Sequence, residues 1–411
     1  MPVHPRILVI VVMLALSALA CQRAGPQDVT QAITPEETPR VEPGGSAAVA
    51  AGKQLSGGQC RGTDKPKLGT SPMRPEDFRF IIPYGAMIGG HVTPIDHQYF
   101  SPAVFHSPRD AYDVVAMANA TIVGITSRTN SRGTEYRLVF SMSCTLFYYY
   151  DLLTSLAPDI QKAYDAQRIN IPVEEGQLIG RIGGQTLDFA VWDMDVRLGF
   201  IVPEHYAGES WKIHTADPLD YYTDEFRAFI LSRYVRTAEP VSGKIDYDID
   251  GRAAGNWFEE GTDGYGGGGV GSEYYRGHLS LSYDAFDPSS IVFSVGSYPG
   301  LDERASPSNW PMMFLMQFGV KGNSPDPKDI SVDTGLVRYE LVQKDWADAA
   351  GNYWGRMTLI TGVLAKNHED RLWGTALVQM LADRRLKAEV FPGKAAQQVT
   401  GFSEQAVVYE R

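Results

Sequence analysis

Nowhere in the 411 residues do lysines and arginines gather into a run, and 49 acidic side chains outnumber 37 basic ones, for a net charge of −12 at pH 7. A nucleic-acid backbone or an anionic lipid surface demands clustered positive charge, so neither is an expected partner. Cysteine is scarce, with three in the chain. Cys21 is taken up below; Cys60 and Cys144 then form an even pair, which an oxidising compartment can join as a disulfide or which can persist as two buried thiols. A long membrane-spanning run is also lacking. The apolar stretch Ile7 to Ala20 would cover about 21 Å as a helix, short of the ~30 Å hydrocarbon core, so a permanent span is the weaker reading. Aromatic residues are missing from residues 21–58, a stretch rich in Pro, Gly, Ala, Gln and Glu. Without apolar bulk to bury, that stretch reads as a flexible tether.

What is there begins with an export signal. Residues 1–20 combine a basic start with an apolar run, the pattern of a signal peptide. The run ends in Ser17-Ala18-Leu19-Ala20-Cys21, which resembles a bacterial lipobox, although Ala18 stands where Leu is usual. The resemblance implies that Cys21 carries lipid and anchors an exported protein to a membrane. Gln22 in place of Asp implies the periplasmic face of the outer membrane.

The remaining residues exceed one average domain. Between Phe78 and Asp193, short β-branched and aromatic runs alternate with Gly and Pro breaks, predicting an antiparallel sheet domain over 59–216. Leu152, Leu153, Leu156, Ile160 and Ala163 fall at helical spacing, so one helix is expected over 146–168. A helical connector follows over 217–240. Eight alternating runs between 241 and 411 predict a barrel or sandwich. In His278 to Asp284, Leu279, Leu281 and Tyr283 face one way and the polar residues the other. The fold class is therefore mostly β.

His91 with Asp96, the strand Asp113 to Val123, the Gly-rich run Val173 to Gly183 and the closing strand Leu187 to Val191 follow one another in an order by which residues 85–193 resemble a lysostaphin-type (LytM-like) zinc endopeptidase domain, a family that cuts peptidoglycan. His91-Val-Thr-Pro-Ile-Asp96 stands for the metal motif His-x-x-x-Asp, with one residue more, and Asp113 to Val123 resembles a family strand. Val173-Glu-Glu-Gly-Gln-Leu-Ile-Gly180-Arg-Ile-Gly183 resembles the Gly-rich motif, and Leu187 to Val191 lies where His-Leu-His-Phe-Glu-Val would come. The resemblance implies a divalent metal, zinc in the family, on His91, Asp96 and Asp188. The departures fall on the chemistry. No His-x-His occurs; Thr186 and Asp188 stand in its place, and Asp151 replaces a further histidine. Oxygen donors can still hold a divalent ion, but a threonine hydroxyl cannot serve as general base. The expectation is a fold that has lost its peptidase chemistry and binds peptidoglycan or a cell-wall enzyme. The alternative is an active metal-dependent endopeptidase.

Other signals are weaker. His97 and His106 could substitute as ligands, but the commoner case is an ordinary loop histidine. Tyr148, Tyr149 and Tyr150 can line a sugar or peptide groove, with at least one facing the core. Asp246-Tyr-Asp248-Ile-Asp250-Gly251 imitates half of a calcium loop, but Trp257 takes the place of its closing glutamate. Gly264 to Gly269 fits a phosphate-loop string without its strand and helix. Gly255, two residues before Trp257, gives a faint resemblance to the G-x-W opening of lipocalins, and with it a third reading, a carrier of an apolar ligand in the C-terminal region.

Overall fold

The computed structural model describes residues 45–411 apart from 89, 268–270, 300–316 and 356. Cys21, the signal segment and most of the tether lie outside the described residues. The last part of the stretch expected to be a flexible tether is a packed helix: α1 spans Ser46–Leu55, and Ala48 and Gly52 are buried. The alanine-rich sequence favours a helix, and these small residues let it lie close against other backbone. A Cβ on Gly52 would meet the Cys144 carbonyl oxygen at 1.7 Å.

The first β region contains β1 (Phe78–Ile82), β2 (Gln98–Pro102), β3 (Tyr112–Val115), β4 (Ala120–Asn130), β5 (Gly133–Ser141), β6 (Leu146–Leu153), β7 (Ser155–Leu156), β8 (Ile171–Val173), β9 (Leu178–Ile182), β10 (Leu187–Asp193) and β11 (Thr215–Ala216). The large sheet runs β1-β2-β10-β6-β5-β4-β8, with β11 on β10, and a smaller sheet runs β3-β9-β7. All of these pairings are antiparallel. Two pieces of the family-like pattern thus lie side by side, Val114 opposite Gly180. Only glycine fits there, since a Cβ on Gly180 would come within 2.2 Å of the Ser155 carbonyl.

The helix expected over 146–168 is corrected to two strands and a short helix. β6 has all but one of its residues buried, so its aromatic run pays for strand pairing on both faces. Pro158 then opens α2 (Pro158–Asp165), which buries Ile160 and Ala163. Tyr148 and Tyr150 join the core with Phe140 and Phe189, whereas Tyr149 faces the opposite side with Phe147 and Trp192. All three tyrosines are buried at 0–1% exposure, so they are core residues and line no open groove. In the connector, α3 (Asp224–Leu231) begins where Thr223 accepts from the Phe226 N–H, with Asp224 and Glu225 in its first turn.

Eight strands, β12 (Gly255–Glu259), β13 (His278–Tyr283), β14 (Ile291–Val295), β15 (Gln317–Val320), β16 (Val337–Ala347), β17 (Leu364–Leu381), β18 (Arg385–Pro392) and β19 (Val407–Glu410), form a closed barrel. Closure is made by β12 against β19, with Phe258 opposite Glu410. Trp257, Leu279, Leu281, Phe293, Phe318 and Tyr339 share one core cluster. The opposite face of β13 is polar in sequence, yet His278, Ser280 and Ser282 are also buried. That wall packs on the first β region: the Ser282 hydroxyl reaches Met87 Sδ at 3.7 Å, and Asn256 Nδ2 donates to the Tyr206 hydroxyl at 3.0 Å. The described residues accordingly cluster as one compact unit.

Candidate functional site

Asp96 and His97 immediately precede β2, and β2 pairs with β10 so that Asp188 lies opposite Tyr99. On its other side Asp188 faces Asp151 of β6. The sheet therefore brings the two motif carboxylates, Asp96 and Asp188, to the two sides of one imidazole. His97 Nδ1 lies 3.4 Å from Asp96 Oδ1, and its Nε2 lies 3.4 Å from Asp188 Oδ2. His91 packs edge-on against His97, with ring centroids 5.6 Å apart. Asp96, His97 and Asp188 are 3%, 5% and 6% exposed, whereas His106 is exposed. His97 is thus part of this buried cluster rather than a solvated loop residue.

Lys212 completes the cluster. Its Nζ stands 3.0 Å from Asp96 Oδ1 and 3.6 Å from Glu209 Oε2, with the side chain 2% exposed. It also lies 4.3 Å from the centre of the Tyr265 ring, within cation–π range. Burial works against its charge, but Asp96 and then Glu209 outweigh that and raise its pKa. In return, Asp96 is held well below the usual carboxylate range: burial opposes its charge, and Lys212 and His97 more than compensate. Asp188 has no such cation in contact. Burial pushes it up to about 7, with His97 opposing and Asp151 adding. His91 is pushed down to about 3 by burial, with His97 and Lys212 adding. Asp151 is itself paired with Arg128 Nη1 and Arg137 Nε, each at 3.0 Å.

These residues do not fit a catalytic zinc. Zinc needs donors converging at about 2 Å on one point and one open position. Here the two nitrogens of His97 lie 3.4 Å from different carboxylates without hydrogen-bond geometry to either, and Thr186 donates its hydroxyl to Asp188 Oδ1 at 3.3 Å. Among the described residues, no group of three His, Cys, Asp or Glu side chains is placed to hold a metal ion. A divalent ion about 4 Å from the Lys212 ammonium would meet a repulsion of about 8 kcal/mol at an effective dielectric of 20. The sequence flagged His91, Asp96 and Asp188, weighed His97 and missed Lys212. Lys212 lies between Trp211 and Ile213 in a turn with no motif around it, and only the fold brings it to Asp96.

The second β region covers the cluster. Tyr265 stacks over Lys212, Tyr275 packs on Val92, and Gln317 Nε2 donates to the His91 carbonyl at 3.3 Å. His278 lies among Phe258, Tyr265 and Tyr274. Burial lowers its pKa to about 4, and Lys212 adds to the effect. A depressed folded pKa favours the neutral form, so this contribution is present above the unfolded value of about 6.5 and is lost as pH falls through about 4. His278→Asn is expected to flatten the decline of Tm with acid between those values, by an effect of ~2–3 kcal/mol. Parallel curves for variant and wild type, measured by thermal unfolding at several pH values, would refute this.

The weaker motifs are also resolved by contacts. Asp246 pairs with Lys244 at 2.5 Å, Asp248 with Arg411 at 3.6 Å and Asp250 with Arg384 at 3.0 Å, so the three carboxylates of the calcium-like run serve separate cations. Gly264–Gly266 forms a short 3-10 turn; part of the glycine run lies outside the described residues. Cys60 and Cys144 are disulfide-bonded, with Cα atoms 4.8 Å apart.

No family model and no curated protein matches the chain. Among solved structures, it is similar to the SpoIIQ–SpoIIIAH pore forming complex, at 16% identity and TM-score 0.18 over 27% of this chain and 56% of that one. It is also similar to a zinc containing peptidase from Vibrio cholerae, at 15% identity and TM-score 0.24 over 32% and 38% of the two chains. A third, lysostaphin in solution, shares 12% identity at TM-score 0.24 over 83% and 90%. The chain thus spans well under two thirds of the first two, and at these scores the likenesses carry no argument about activity.

Proposed function

We propose that this chain is an exported lipoprotein, anchored through Cys21 at the periplasmic face of the outer membrane. Its first β region is a LytM-like module without hydrolytic activity, which binds peptidoglycan or regulates a cell-wall hydrolase. The observation that carries this reading is the closing strand: Thr186 and Asp188 are bonded to one another and buried, so neither a base nor an open coordination position faces a substrate. The covering by Tyr265 and Tyr275 points the same way, because a cross-linked polymer cannot reach the cluster beneath them. With Tyr148 to Tyr150 buried, recognition is assigned to the outer surface rather than to a tyrosine-lined groove.

The carrier reading is less well supported. Side chains such as Trp257, Phe293 and Tyr339 pack together inside the barrel, and among the described residues a cavity of about 290 Å³ is lined by Leu279, Val295, Val390 and Tyr409.

Purified protein supplied with zinc is expected to sediment with sacculi, or to co-purify with a cell-wall hydrolase, and to release no soluble muropeptides. A lost general base alone costs about 10²–10⁴ in rate. Release of muropeptides by the wild type, abolished in Asp96→Ala, would overturn the reading and restore the endopeptidase.

A further inference from the structure

We infer that the Lys212 ammonium is the permanent cation of this site and takes over from a metal ion the neutralisation of Asp96. The inference rests on the non-hydrolytic reading above and goes past it by naming what replaced the metal. A buried carboxylate needs a counter-charge, and one left alone in the interior is strongly destabilising. Asp96 stands at the aspartate of the metal motif, is 3% exposed, and has the Lys212 ammonium at 3.0 Å.

The lysine is built into its place rather than resting there. Its side chain is 2% exposed, it faces the Tyr265 ring at 4.3 Å, and Glu209 stands behind it at 3.6 Å. A flexible surface lysine would gain nothing from this position, because the ammonium gives up its hydration on entering. The partners also come from three separate parts of the chain: the loop before β2, the turn at 203–214 and the turn carrying Tyr265. One ammonium therefore ties the first β region to the cover supplied by the second. A metal held by Asp96 and Asp188 would need the space that Lys212 and His97 already fill and the counter-charge that Lys212 already gives Asp96.

Zinc content and thermal unfolding of the purified protein test this together. The wild type, incubated with excess zinc chloride and desalted, is expected to retain under about 0.1 zinc per chain, with Tm unmoved. Lys212→Met removes the charge while keeping the volume, and is expected to lower Tm by about 5 °C or more. Asp96→Asn alone is expected to do the same, and the double variant to recover at least half of the loss, because it leaves no unpaired charge. One zinc per wild-type chain, lost in Asp96→Ala, would overturn the inference, and so would an unchanged Tm in Lys212→Met. Should that variant fail to fold, the wild-type zinc measurement still decides. Bound zinc without muropeptide release would sink this inference and leave the non-hydrolytic reading standing; release would sink that reading.

Discussion

Arg411→Ala is expected to destabilise the protein by about 3–5 kcal/mol, the cost of breaking a buried ion pair from one side. The Arg411 guanidinium lies 4.0 Å above the centre of the Trp257 ring and donates to the carbonyls of Ile249, Arg252 and Ala254. Its side chain is 2% exposed and stands 3.6 Å from Asp248, itself 3% exposed. Truncation would take one of two donors from the Ile249 and Ala254 carbonyls, which keep the N–H groups of Arg252 and Ile249, and would take the guanidinium from the Arg252 carbonyl, uncover the indole, and leave Asp248 with the backbone N–H groups of Asn256 and Ile201. The effect reaches the closure of the barrel, because Arg411 directly follows β19, which pairs with β12, the strand of Trp257. Arg411→Lys keeps the charge but not the planar fork, so it is expected to recover less than half of the loss. Urea unfolding of the three proteins is the measurement. A loss in Arg411→Ala below about 1 kcal/mol, the scale of an exposed pair, would show that the contacts above Trp257 are not maintained.

How far the chain could be read in advance depended on whether a signal was local. Alternation in β13 and the short β-branched runs foretold a β-rich fold with a barrel or sandwich, because strand patterning is carried residue by residue. The aromatic run of β6 misled: Leu152, Leu153 and Leu156 happen to lie at helical spacing, and only burial on both faces identifies Leu146 to Leu153 as a central strand. Asp96 and Asp188 were legible because they sit inside sequence patterns. Lys212 was not, since nothing local marks it and its partner lies 116 residues earlier. The polar face of β13 was likewise visible as a pattern, but its burial depends on the first β region lying against it.

The second large effect is expected at the disulfide. Joining Cys60 to Cys144 closes a loop with a sequence separation of 84, and loop-closure entropy for that length gives an upper value of about 4–5 kcal/mol, with 2–5 kcal/mol usual for loss of a native bond. The bond fastens the segment around α1 to the turn between β5 and β6. That turn holds the segment by backbone contacts as well: the Cys144 N–H donates to the Gly62 carbonyl at 2.9 Å, and the Thr145 hydroxyl to the Thr63 carbonyl at 3.2 Å. These hydrogen bonds survive reduction but lose the cross-link that keeps them in register, so the loss should begin locally and then lower the unfolding midpoint of the whole unit. Cys60→Ser/Cys144→Ser is expected to unfold at lower denaturant with or without reductant, and the wild type to fall to the same midpoint only when reduced. If thiol titration shows complete reduction while the wild-type midpoint stays where it was, the bond contributes nothing to stability. The segment from α1 to Thr63 would then be held by its hydrogen bonds to Cys144 and Thr145 and by the packing of Gly52 on Cys144 and Phe147.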